Sequence, residues 1–292
     1  MLWIPATLVA ATLQVARNAL QRGLLADAGP WGATLTRFLF GLPFSMLFLA
    51  AAMVLTPAAH ATLGARFWLA CAIGGATQII ATAAMLVSMR RSSFALGTVF
   101  QQSSIPLAAL LGLAFGEHLH PLKWLGMCMV AGALAVLGWP RNRGAARDWT
   151  AALFGLVAGA GFAVSSNAFR QAALTLDGRH PVFAALFTLL VVQAMQTAVL
   201  AAWLLVRDRP ALIVVVVRWR SSLSAGLFGA AASALWFTAF ALSPAGPVRA
   251  VGVVEMPIAA AAGHRLFAER LSPWQMACTL LIAVGVGLAA LG

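Results

Sequence analysis

Charged residues are scarce in this sequence. They make up 9% of the chain, whereas a soluble globular domain carries about 25%. Hydrophobic residues reach 62%, the mean hydropathy is +0.92, and no long polar segment interrupts the apolar runs. The composition therefore predicts an all-α integral membrane protein without a separate soluble domain.

Cysteine motifs and catalytic motifs are also absent. Cys71, Cys128 and Cys278 each stand alone in an apolar run, so neither a disulfide framework nor a metal site is indicated, and no cofactor is expected. The sequence contains no G-x-S-x-G or H-E-x-x-H, and its five histidines fall in loops or at the ends of apolar runs. A membrane-embedded enzyme, which would need a nucleophile with its base or paired acids, is therefore a weak alternative.

The beginning of the chain has no basic segment typical of a signal peptide. Its first apolar run instead carries polar side chains, among them Gln14 and Arg17. We expect this run to be a retained helix.

The net charge of +12 raises the possibility of nucleic-acid binding, but the pattern argues against it. The arginines stand in small groups between apolar runs, where the positive-inside rule puts them. We expect the lipid bilayer, and no nucleic acid, as a partner.

Ten apolar runs are long enough to be membrane-spanning helices, which need about 20 residues. The predicted spans cover 3–24, 31–56, 67–89, 94–115, 121–139, 149–172, 181–206, 221–242, 247–267 and 273–291.

The two halves of the chain repeat each other. Each half ends with a proline, a small apolar run, the pattern Glu-x-Leu-x-Pro and a span rich in Gly and Ala; Glu117 in the first half corresponds to Glu269 in the second. "NALQR" at 18–22 is echoed by "NAFRQ" at 167–171, and Pro30 by Pro181. We predict two five-helix repeats, at 1–140 and 149–292. Because five is odd, the second repeat must enter the membrane from the opposite side, an arrangement typical of secondary transporters.

Charge counting gives an orientation. Loops after the odd-numbered spans hold twelve arginines: Arg22, Arg90, Arg91, Arg141, Arg143, Arg147, Arg207, Arg209, Arg218, Arg220, Arg265 and Arg270. The other side holds five basic residues, namely Arg66, Lys123, Arg170, Arg179 and Arg249. By the positive-inside rule, both termini are predicted on the non-cytoplasmic side.

The doubled Pro–apolar–Glu-x-Leu-x-Pro signature resembles the EamA family of the drug/metabolite transporter superfamily. The resemblance extends over nearly the whole chain and is more specific in the second half, from Glu255 to Gly292. It implies ten helices as two inverted repeats around a central cavity in a bacterial inner membrane. It also implies export of amino acids or other small metabolites, and the nearest likeness is to the aromatic amino-acid exporter branch.

Glu255 is an acid within predicted span 9, two residues before Pro257. A charge at the centre of a bilayer costs about 2.5–3.5 kcal/mol or more. Such a group should therefore face a cavity or pair with a base. It is either a proton-coupling or substrate-amine site, or a structural acid that caps the backbone that Pro257 leaves without a donor.

Span 1 has a polar face. Gln14, Arg17, Asn18 and Gln21 recur at helical spacing, so they share one side of the helix. This face is predicted to line the cavity, although packing between helices is an alternative. Arg17 could pair with Glu255, hold a substrate carboxylate, or extend to the membrane surface.

Further candidate cavity residues lie in other spans. They are Gln78, Phe100, Gln101, Asn167 and Trp236, with Pro106 and Pro257 as predicted helix kinks. For the single amides, hydrogen bonding between helices is an equal alternative. For the aromatic rings, ordinary packing competes with stacking on a substrate.

Together these residues predict a mostly neutral cavity with one acid, suited to a small neutral or zwitterionic solute. The functional hypothesis is export of such metabolites, most of all aromatic amino acids, by alternating access, with protons as a candidate coupling ion. A passive facilitator of the same fold is the main alternative.

Overall fold

The computed structural model describes residues 2–113, 121–138, 149–269 and 271–291, and within these ranges the chain is helical and contains no β-strand. The all-α prediction is thereby confirmed for these residues. The helices are α1 (Trp3–Leu39), α2 (Leu42–Leu55), α3 (Ala65–Arg91), α4 (Phe94–Phe100), α5 (Ser104–Leu113), α6 (Pro121–Gly138), α7 (Trp149–Leu176), α8 (Pro181–Arg207), α9 (Arg209–Val217), α10 (Trp219–Leu242), α11 (Ala245–Val251), α12 (Glu255–Phe267) and α13 (Pro273–Leu291). Glu117 of the first Glu-x-Leu-x-Pro motif lies outside the described ranges.

Among the described residues, six helical segments are long and apolar enough to cross a membrane: Trp3–Leu55, Ala65–Arg91, Trp149–Leu176, Pro181–Arg207, Trp219–Leu242 and Ala245–Phe267. The first has 53 residues. As a straight helix it would measure about 80 Å, against about 30 Å for the hydrocarbon core. It is interrupted at Gly29, which has a positive φ of 63°. Glycine adopts this backbone conformation readily because it has no Cβ. The break falls between predicted spans 1 and 2.

Two of the predicted spans are broken in the same way. A 3₁₀ turn at Gln101–Ser103 separates α4 from α5, and another at Gly252–Val254 separates α11 from α12. Pro106 and Pro257 each stand third in the helix that follows. Since proline has no N–H to donate to the carbonyl four residues earlier, it weakens the helical ladder at this point.

One spacing relates these features to the motifs of the sequence. The first residues of the two 3₁₀ turns are separated by the same number of residues as Pro30 and Pro181. Pro106 and Pro257, which follow the turns, are separated by this number as well. We call this spacing the half-chain interval.

Helix packing follows the half-chain interval. α1 packs along α10, and α3 packs along α7. When residue numbers are increased by this interval, the first part of α1 corresponds to α7, and α3 corresponds to α10. The pair of α1 with α10 therefore corresponds to the pair of α7 with α3. α6 packs against α13, and the broken helices meet each other through α5 with α11 and α4 with α12.

Residues 207–220, predicted as a loop, contain the short helix α9. The Asp208 side chain accepts a hydrogen bond from Ala211 N at 3.1 Å, and Pro210 stands in the first turn. An N-cap acid followed by proline is a helix-start signal. Ala211 and Val215 then pack on Ala28 and Leu35 of α1.

The turns are tied by acids at related positions. Asp27 forms an ion pair with Arg218 at 2.9 Å. Asp177, which follows Asp27 by nearly the half-chain interval, accepts from His60 N at 3.3 Å and contacts the His180 ring at 2.8 Å. Although desolvation opposes it, hydrogen bonding from His180, Arg179 and His60 lowers the pKa of Asp177 to about 2.

Candidate functional site: a central polar cavity

A small cavity lies among α1, α3, α7, α10 and α11. Its volume is about 20 Å³, room for about one water molecule, so a solute needs a wider conformation. Its lining combines cations, amides, hydroxyls and aromatic rings: Gln14, Arg17, Arg37, Gln78, Phe162, Ser165, Phe169, Ser233, Trp236, Phe237, Phe240 and Arg249.

Three arginines line this cavity, which corrects the expectation of a mostly neutral site. Arg37 stands within predicted span 2 and was not expected to line the cavity, and Arg249, in predicted span 9, was counted only among the basic residues of one side of the membrane. Within the described residues, no carboxylate forms an ion pair with Arg17, Arg37 or Arg249. Glu255 lies close enough to attract Arg17 and Arg249, while Arg17 is repelled by the charges of the other two arginines.

Arg17 is 1% exposed, so its guanidinium does not extend to the membrane surface. Its Nε and Nη2 donate to Asn18 Oδ1 at 3.1 and 2.6 Å. Asn18 thus orients Arg17 and is not itself a lining residue. The ion pair with Glu255 that the sequence allowed is not formed.

Arg37 bridges two equivalent helices. Its Nη1 donates to Thr82 Oγ1 of α3 and its Nη2 to Ser233 Oγ of α10, each at 3.2 Å. Thr82 and Ser233 are separated by the half-chain interval. The guanidinium therefore lies where the two halves of the chain meet, held by neutral hydroxyls.

Arg249 is surrounded by aromatic rings. Its guanidinium lies 5.3 Å from the ring centre of Phe162, 5.1 Å from Trp236 and 5.5 Å from Phe240, within the range of cation–π attraction. Nη2 donates to Phe162 O at 3.3 Å. Arg249 Nε and Trp236 Nε1 are buried and find no acceptor among the described residues.

Glu255 binds three glutamines. Its Oε2 accepts from Gln14 at 2.6 Å, and its Oε1 accepts from Gln101 at 2.8 Å and from Gln102. Within the described residues the carboxylate makes no hydrogen bond to the backbone around Pro257. Its contacts join α1 to both 3₁₀ breaks, because Glu255 directly follows the second one.

The other candidates divide between cavity and helix packing. Gln78 lines the cavity and accepts from Gln196 at 2.8 Å. Asn167 donates to Ala108 O and Ala163 O, and Phe100 packs in an apolar cluster with Ile105. Neither lines the cavity.

Sequence reasoning did not single out Arg249, Ser165 or Ser233 as cavity residues. For Arg249 a signal existed, since it stands shortly before Glu255 in the same apolar run. A serine in a Gly- and Ala-rich span has no comparable signal.

No family model and no curated protein matches this sequence. A solved structure described as "Crystal structure of protein" is similar to it, with a TM-score of 0.61 over 98% of this chain and 96% of that chain. The sequences are 18% identical, so the likeness concerns the fold alone. Fold and cavity together describe a helical membrane protein with a buried, charged polar centre.

Proposed function

We propose that this chain is a secondary transporter of a bacterial inner membrane that exports small organic metabolites by alternating access. The carrying observation is the central cavity, where arginines, amides and hydroxyls from both predicted repeats meet and to which the broken helix α11 contributes Arg249. Buried charges are costly in a membrane and mark substrate or ion pathways.

The proposal includes ten spans arranged as inverted repeats at 1–140 and 149–292, as in the EamA family that the sequence resembles. The half-chain interval supports it, since it relates the 3₁₀ breaks, the prolines behind them and the packed helix pairs. Discontinuous helices at the interface between repeats are a recurring feature of transporter binding sites.

Alternating access is supported by the size of the cavity. A volume of about 20 Å³ holds no metabolite, although the lining groups are suited to bind one. Binding therefore requires the repeats to move apart, while rocking of one repeat against the other closes the opposite side.

Counterflow in proteoliposomes tests transport. Vesicles loaded with unlabelled phenylalanine, tryptophan or 3-phenyllactate would be diluted into the labelled compound. A carrier accumulates label transiently against its gradient and saturates. Flux that neither saturates nor shows counterflow would favour a channel-like passive facilitator, and absence of protein-dependent flux would contradict both.

A further inference from the structure

We infer that the cavity selects an organic anion: a solute with a carboxylate and an aromatic or otherwise apolar body, net negative overall. This inference rests on the proposed transport function and names its substrate class. It differs from the neutral or zwitterionic solute that the sequence alone suggested.

The charge balance of the cavity is the first argument. Three guanidinium groups line it, against one nearby acid, Glu255, which attracts Arg17 and Arg249 but, within the described residues, forms no ion pair with any of the three. Positive charge is therefore in excess. Unpaired buried cations are unfavourable in a low-dielectric interior. A bound carboxylate offsets this cost, and arginine can hold it through two parallel hydrogen bonds.

The state of Glu255 is the second argument. A zwitterionic amino acid needs an acceptor for its ammonium as well as donors for its carboxylate. Both oxygens of Glu255 are engaged by glutamine amides, and Glu255 does not line the cavity. The site therefore presents cationic donors without a lining acid to match an ammonium.

The unsatisfied donors and the aromatic lining of the cavity are the third argument. Arg249 Nε and Trp236 Nε1 have no acceptor among the described residues, and an anionic head group supplies acceptor oxygens for them. Phe162, Phe169 and Phe237 add apolar surface to the lining, against which a ring can pack. The head group thus binds the arginines while the body lies on the aromatic side.

The test uses three ligands that share a benzyl group: 3-phenyllactate is an anion, phenylalanine a zwitterion and phenylalaninamide a cation. Binding is measured as the ligand-induced shift of thermal unfolding of the full chain in detergent, and transport by counterflow. We expect 3-phenyllactate to bind best. Arg17→Gln and Arg249→Gln should each weaken its binding about tenfold to a hundredfold.

Arg209→Gln is the matched control, because it removes one positive charge from an exposed position and should leave binding unchanged. Arg249→Lys keeps the positive charge but loses the planar guanidinium that can form two parallel hydrogen bonds. It should also weaken binding, and it replaces the glutamine variants as the test if these do not fold. Equal or tighter binding of phenylalanine, no binding of 3-phenyllactate, or unaltered binding in the cavity variants overturns the inference. Binding of 3-phenyllactate without counterflow leaves the anion site standing and rejects transport.

Discussion

Glu255 shows how one buried acid can be held without an ion pair. Gln14, Gln101 and Gln102 supply three N–H donors, and Arg249 adds electrostatic attraction from beyond ion-pair distance. The same bonds tie α1 to the breaks of both discontinuous helices. Any change of charge at Glu255 therefore acts on the elements that would have to move during transport.

Glu255→Gln is expected to retain substrate exchange but to lose the response to an imposed pH gradient. A neutral amide cannot take up and release a proton, whereas its similar shape lets the neighbouring glutamine amides turn to meet it. Proteoliposomes with and without a pH gradient measure this. Asp208→Asn, at an exposed position, is the control, and a variant that still follows the gradient would contradict the coupling role.

At the residue scale, the sequence predicted which groups are buried better than which groups meet. Gln14 and Glu255 are 241 residues apart, and no local pattern pairs them. Arg17 and Asn18 shared the predicted polar face, but only packing decides that Asn18 holds Arg17. Arg249 was missed because its place near the start of predicted span 9 suggested a position at the membrane surface, whereas three aromatic rings surround it inside the molecule.

The two 3₁₀ breaks meet at Glu255, which binds Gln101 and Gln102 of the first break and directly follows the second. The first is packed tightly against α7, where a Cβ on Gly159 would lie 2.9 Å from Ser104 N and 3.1 Å from Gln101 O. Contacts this close leave no room for a methyl group unless the backbone moves. The absence of a side chain at Gly159 thus allows the first 3₁₀ turn to pack directly against α7.

Gly159→Ala is therefore expected to lower the free energy of unfolding by about 1–3 kcal/mol through overpacking. Gly132→Ala in α6 is the matched control, since nothing lies within 4 Å of its Cβ position; it should be neutral or stabilising by up to about 1 kcal/mol. Unfolding midpoints in detergent give both values. Equal effects of the two substitutions would refute the packing argument.

A second contact links the ends of three elements. Arg22 forms an ion pair with Glu269 at 2.6 Å, and Glu269 also accepts from Phe94 N, at the start of α4, at 2.8 Å. The Arg22 guanidinium lies 4.2 Å from the Phe267 ring centre. The cluster joins α1, α4 and the segment after α12 on the side predicted to be cytoplasmic.

A double-mutant cycle of Arg22→Ala and Glu269→Ala should show a coupling of about 1 kcal/mol. Glu269→Gln should lose less stability than Glu269→Ala, because its amide oxygen can still accept from Phe94 N. Unfolding midpoints of the four cycle variants measure the coupling. Strictly additive losses would mean that the ion pair contributes nothing to stability.

At the element scale, helices were predictable because hydrophobic runs, prolines and glycines mark them directly. The break at Gly29 and the kinks before Pro106 and Pro257 fall where the sequence placed them. α9 was missed because its four flanking or internal arginines suggested a loop, although Asp208 and Pro210 carried the start signal. Sequence alone could not show that both broken helices pass through a 3₁₀ turn, because this depends on their packing.

At the scale of the whole molecule, the half-chain interval recurs at every level. It relates the motifs of the sequence, the 3₁₀ turns, the packed helix pairs, the hydroxyls that hold Arg37, and nearly the acids Asp27 and Asp177. Local sequence effects cannot coordinate such distant features, and the proposed arrangement as two repeats would account for them together. The two halves differ at residues near the cavity. One half-chain interval before Glu255 the sequence has Ser104, and one interval before Arg249 it has Thr98.

The proposed repeats imply ten membrane crossings, a number that can be tested by parity. Ten spans put a reporter fused after residue 140, behind five crossings, on the side opposite to the N-terminus. If only the six long helical segments cross, each of them once, two crossings precede residue 140, and the reporter stays on the N-terminal side. Since both termini are predicted outside the cytoplasm, a green fluorescent protein fused after residue 140 should fluoresce, and one fused after residue 292 should not. Alkaline phosphatase, which is active only outside the cytoplasm, should give the reverse pattern. Fluorescence from neither position, together with phosphatase activity from both, would reject the inverted five-helix repeats.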